Sequence, residues 1–143
     1  MKRGPKPATV RFYFDADVLG LAKVVAGIRS DVTFPGDPGG IVHKRQRPSC
    51  EIARPATLDT AWLAVVAQRG WLIITRDRHI QDHRAEIDAV NSNGARMIAN
   101  EAVGTWSQLE VLMCQWRAIE RLGEPGPFIY TATRTSLRPV PLT

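Results

Sequence analysis

A chain of 143 residues, 44% hydrophobic and 23% charged, suits one globular domain and excludes a disordered or fibrous protein. Its 19 Lys and Arg outnumber its 14 Asp and Glu to give a net charge of +5, which favours a polyanionic partner; no apolar run reaches membrane-spanning length. Two distant cysteines, Cys50 and Cys114, without metal-ligand spacing, and a basic start with no apolar signal core after it, fit a soluble protein of the reducing cytoplasm.

Residues 1–10 read as a loose basic tail, leaving 11–143 as the domain. Arg11-Phe-Tyr-Phe-Asp15 is an apolar, aromatic run that ends abruptly in acid, and it reads as a buried first strand. Ala16 to Ile28 carries apolar residues at helical spacing, weakened by Gly20. Asp31 to Phe34 is a short strand, stopped by Pro35-Gly-Asp-Pro-Gly-Gly40.

Residues 41–57 are the least regular stretch. His43, Lys44, Arg45, Arg47 and Arg54 face one acid, Glu51, and the segment reads as a basic arm near the site, able to contact phosphates. Thr57-Leu-Asp59 opens a helix that Gly70 ends, and strand Trp71-Leu-Ile-Ile-Thr75 follows. Arg76 to His83 is polar, Arg84 to Val90 a short helix, and Ala95 to Ala99 a strand. Thr105 to Leu122 is the clearest helix. Thr105 and Gln108 form a capping-box pattern, and Trp106, Leu109, Leu112 or Met113, Trp116 and Ile119 mark a core stripe. Phe128 to Thr133 is a last strand before a proline-broken tail. The fold class is α/β, a small, mostly parallel sheet with helices on both faces.

Two buried strands that each end in Asp, at Asp15 and Asp77, are hard to explain by packing. Ligands of open α/β sheets sit beyond the carboxyl ends of the strands. Parallel neighbours bring such carboxylates together, where they repel unless a cation lies between them. Asp17 and Asp59 complete the candidate set, although each also suits a helix cap. Thr75 can hold a phosphate or a water through its hydroxyl, or bond to backbone; Arg76 can bind phosphate or lie on the surface. His79 and His83 have the i, i+4 spacing of a zinc pair but lack the Glu of His-Glu-x-x-His, so a solvated turn is the default there.

Taken together, Phe12-Tyr-Phe-Asp15-Ala-Asp17-Val-Leu, Leu58-Asp59-Thr-Ala-Trp62-Leu and Trp71-Leu-Ile-Ile-Thr75-Arg76-Asp77 resemble a PIN-like domain of the VapC type, the toxin of VapBC toxin–antitoxin pairs. The resemblance covers residues 11–133. It implies a Mg²⁺- or Mn²⁺-dependent endoribonuclease, a homodimer, and a tight VapB-type antitoxin partner. Under it Asp15 is the first metal ligand, Asp59 the central acid, Asp77 the strand-end acid, and Thr75 the hydroxyl beside it. Apart from the resemblance, the charges of Lys44, Arg45, Arg47 and Arg76 lead us to expect that they guide the RNA backbone. Two positions depart from the pattern. Asp17 stands where a hydroxyl or amide residue is common, and His79 where a fourth acid is common, so Asp17 and Asp82 compete for the fourth place.

Two other classes fit part of this pattern. Asp15-Ala-Asp17-Val also resembles the nucleophile motif of haloacid dehalogenase-type phosphatases, but no Lys follows Lys44 and no acidic pair follows Asp88, as that class requires. The other is a non-catalytic PIN-like module that binds RNA or a protein partner.

Overall fold

The structure, a computed structural model, describes residues 4–52, 59–76 and 84–142, excluding the side chains of Asp59 and Thr60. Its nine strands are β1 (Lys6–Pro7), β2 (Phe12–Phe14), β3 (Val32–Thr33), β4 (Gly40–Val42), β5 (Arg45–Arg47), β6 (Leu72–Arg76), β7 (Arg96–Asn100), β8 (Phe128–Ala132) and β9 (Leu137–Pro139). The helices are α1 (Leu19–Ala26), α2 (Asp59–Arg69), α3 (Arg84–Asn93) and α4 (Thr105–Glu120), with a 3₁₀ turn at Ala16–Val18.

Side chains of a strand alternate between faces, and the β2 run is apolar on both. Phe12 and Phe14 join Leu72, Ile74 and Ile98 beneath α1 and α4. Tyr13 joins Ile73, Met97 and Ile129 beneath α2 and α3. A strand buried on both faces belongs in a parallel sheet covered on both sides. That sheet has the order β3-β2-β6-β7-β8-β9, parallel except for β9 against β8. The α/β class and the two helical layers therefore match the sequence reading.

The topology fixes where a site belongs. From β2 the chain crosses through α1 to β3 on one side; from β6 it crosses through α3 to β7 on the other. The two helices cover opposite faces. The crevice beyond the carboxyl ends of β2 and β6 is thus the switch point of the sheet, where open α/β sheets bind ligands.

Six expectations change. The loose tail is partly ordered, because Lys6–Pro7 pairs with β5. The irregular stretch after Gly40 holds the β4–β5 hairpin, turning at His43 and Lys44, both with positive φ. The first helix starts late, after the 3₁₀ turn, and Gly20 sits where a Cβ would stand 2.5 Å from Thr105 Oγ1. The capping box is absent: Gly104 occupies the cap without a side-chain bond, and Gln108 donates instead to the Ala102 carbonyl. In the core stripe Leu112 and Ile119 are buried, whereas Trp106 is 80% exposed. The tail also returns as β9.

Candidate active site

Asp15 is the first residue past β2, and Thr75 is the fourth of β6. The Asp15 amide donates to the Ile74 carbonyl at 2.9 Å, so sheet pairing itself sets Asp15 level with Thr75. Asp15 also caps the 3₁₀ turn, its Oδ1 accepting from the Ala16 amide at 2.6 Å. That tight turn carries Asp17 back over the end of β6, where the Arg76 amide donates to its Oδ1 at 3.3 Å.

Three carboxylate oxygens then meet one hydroxyl. Thr75 Oγ1 lies 3.1 Å from Asp15 Oδ2 and 3.1 Å from each Asp17 oxygen. A hydroxyl carries one hydrogen and can satisfy one of them at a time. It cannot serve the Asp15 and Asp17 carboxylates fully at once, in a place where Thr75 is buried. Like charges so close favour uptake of a proton or a cation. Accordingly the Asp15 carboxyl is pushed up to about 7, first by burial and then by the Asp17 charge, against the lowering pull of the Ala16 amide and the Thr75 hydroxyl.

Glu86 adds to that upward push. It lies half-buried in the first turn of α3, and the sequence reading passed over it. The signal was present: like Asp59, it is an acid opening a helix that packs behind the strand ends.

The other expected residues divide. Asp59 is the first residue of α2, with its side chain outside the described part of the structure. Asp77 directly follows β6 and lies outside the described residues, as do His79, Asp82 and His83. Arg76 closes β6, half-buried, with its Nε unpartnered among the described residues.

The basic arm lies elsewhere than expected. The His43 ring hydrogen-bonds the Ile28 carbonyl at 3.0 Å, just past the end of α1. The acids are at the start of that helix, whose eight residues span about 12 Å. Lys44 and Arg45 are exposed at this far end. Arg47 is not available to RNA. It is buried and donates from Nε and Nη2 to Asp37, at 2.7 and 3.1 Å, and from Nη1 to the Ala26 carbonyl. Thr33 and the Gly39 amide also donate to Asp37, so the buried carboxylate is fully engaged.

Hard oxygen donors of net negative charge suit a hard divalent cation better than a soft metal. Asp15, Asp17 and Thr75 fit that requirement. Among the described residues no group of three or more His, Cys, Asp or Glu comes together as a fuller ligand set. Among the same residues no helix is long and apolar enough to cross a membrane.

In comparisons with known proteins, residues 11–102 match the sequence model of a family described as a PIN like domain. No curated protein and no solved structure matches the chain.

Proposed function

Because this chain belongs to the PIN-like domain family, we propose that it is a metal-dependent endoribonuclease, the toxin of a toxin–antitoxin pair. The observation that carries this reading is the convergence of Asp15 and Asp17 on the single Thr75 hydroxyl at the switch point of the sheet. In this reading Asp15 and Asp17 hold Mg²⁺ or Mn²⁺, and Asp59 and Asp77 complete the shell. A divalent ion there supplies positive charge to the phosphate under attack and makes water more acidic.

The chain's own groups do the rest. Asp15, holding a proton near neutral pH without the cation, would have to lose it to serve as a ligand. Thr75 donates its hydrogen to one carboxylate and fixes both, and the Arg76 amide steadies Asp17. Arg76 closes the strand beside them and supplies a cation for the RNA backbone. The exposed Lys44 and Arg45 contact RNA further along, about one helix length from the acids.

The expected partners are RNA, a second copy of the chain and a small VapB-type antitoxin, in the cytoplasm. Support for a protein partner comes from the apolar groove of about 450 Å³ between α1 and α4, lined by Val25, Ile28, Leu109 and Met113 and rimmed by Arg29 and Arg117. Arg29 is paired with Asp31, and Arg117 on the rim favours an acidic, amphipathic antitoxin segment. The family match supports this reading over the phosphatase.

The test is cleavage of a structured RNA with Mn²⁺ and with EDTA. Activity should vanish on chelation and in Asp15→Ala. Binding without cleavage under any divalent metal would make the chain a non-catalytic PIN-like module instead.

A further inference from the structure

A second constellation lies at the amino ends of the central strands, away from the acids. Arg11 immediately precedes β2, and Arg96 opens β7; both flank the start of β6 between them. Three residues along β6, about 10 Å of strand, separate this end from Thr75. A cavity of about 120 Å³ opens here, with Arg11 and Arg96 as its charged lining and Phe12, Leu72 and Ile119 as apolar walls. That is room for one tetrahedral anion or a few waters.

Arg11 is anchored through its backbone, and Arg96 through its guanidinium. The Arg11 backbone is bonded on both sides, its amide to the Asp31 carbonyl and its carbonyl to the Leu72 amide, at 2.8 and 2.9 Å. Its guanidinium lies 5.2 Å from the Phe12 ring centroid. Arg96 donates to the Gly70 and Leu122 carbonyls and packs over Phe128, while its buried Nε has no partner among the described residues. Two backbone carbonyls bring no full charge. Neither guanidinium forms an ion pair among the described residues; the nearest acid acting on Arg96 is Glu124, which accepts from the Tyr130 hydroxyl. Burial, and then the neighbouring Arg11, push Arg96 below its ordinary value, against the opposing pull of Glu124.

We propose that this pocket is a phosphate-binding site, in which one phosphate group bridges Arg11 and Arg96. A planar guanidinium presents paired N–H donors that match phosphate oxygens, and an anion between the two removes their mutual repulsion. The phosphate belongs either to a free small phosphate or to an RNA backbone that passes the end opposite the acids. The site is independent of the nuclease reading, since no acid of the candidate active site takes part.

The experiment is run in EDTA on the full chain, so that no divalent ion links phosphate to the carboxylates. Inorganic phosphate, pyrophosphate and a short single-stranded RNA are titrated by calorimetry at ionic strength matched with chloride. Arg11 is exposed, so Arg11→Ala keeps the fold, and Arg11→Lys restores charge without the guanidinium fork. Phosphate or pyrophosphate binding that falls tenfold or more in Arg11→Ala, and recovers only partly in Arg11→Lys, supports a free-phosphate site. RNA binding that falls fivefold or more in Arg11→Ala, with negligible phosphate binding, supports the RNA backbone as the source. Equal affinity of wild type and Arg11→Ala for all three probes, or no binding of any, overturns the proposal.

Discussion

At the scale of single residues, Asp15 behaves as a stored acid. Its carboxyl is pushed to about 7 in the folded chain, against an ordinary 3.8. Between these values the native state therefore holds a proton that the unfolded chain has released. Metal-free stability should fall as pH rises from about 4 to about 7 and then level off. At about 1.4 kcal/mol per unit the ceiling is about 4 kcal/mol, reduced by solvent screening because Asp15 is only partly buried. Denaturant melts of the metal-free protein at pH 5 and pH 8 check this, and Asp15→Asn should remove most of the slope and raise stability at pH 8. A melt of wild type that is flat across this range contradicts it. Thr75 gives a second check. Thr75→Val keeps the shape but removes the hydroxyl that lies between Asp15 and Asp17, and should slow cleavage about 10–100-fold, whereas Thr75→Ser should retain most of it. Equal loss in both would point to packing instead. Asp15, Asp17 and Thr75 were legible in the sequence because an acid after a buried strand has few other reasons to be there. Glu86 was not, because a first-turn acid is ordinary and only the packing of α3 shows which strand end it faces.

At the scale of elements, the β4–β5 hairpin shows what charge counting misses. Its basic residues look alike in the sequence, yet Arg47 alone points inward and ties β5 to Asp37 and to the end of α1. Removing one partner of a buried ion pair leaves the other charge stranded, so Arg47→Ala should cost about 3–5 kcal/mol in a denaturant melt. A cost under about 1 kcal/mol would mean that water reaches the pair. Arg45→Ala, on the exposed strand next to it, should leave stability unchanged and weaken RNA binding mainly at low salt. Equal binding at all salt concentrations would remove the hairpin from the RNA path. The hairpin itself escaped sequence reading because its turn is His43-Lys44, two non-glycine residues at positive φ, and not the usual Asn-Gly. Trp106 escaped for the opposite reason: helical spacing matched the core stripe, but its position in the first turn of α4 lies beyond the sheet, leaving it exposed.

At the scale of the whole molecule, the two ends of the parallel strands are unlike. Acids gather beyond the carboxyl ends of β2 and β6, and Arg11, Arg96 and the hairpin tip lie towards the other end. The parallel order and the two helical layers followed from apolar runs alternating with helical patterns, so the location of the switch point was within reach of the sequence. The charge separation was not, since it depends on the direction in which each basic residue leaves its strand. The central claim is that the acidic end holds a divalent cation. Calorimetric titration of Mn²⁺ at pH 6, in buffers of different ionisation enthalpy, tests it most directly. Binding should release close to one proton at pH 6 and almost none at pH 8.5, and should weaken at least tenfold in Asp15→Asn. Mn²⁺ binding with no proton release at pH 6 and undiminished in Asp15→Asn would place the metal elsewhere and contradict the account.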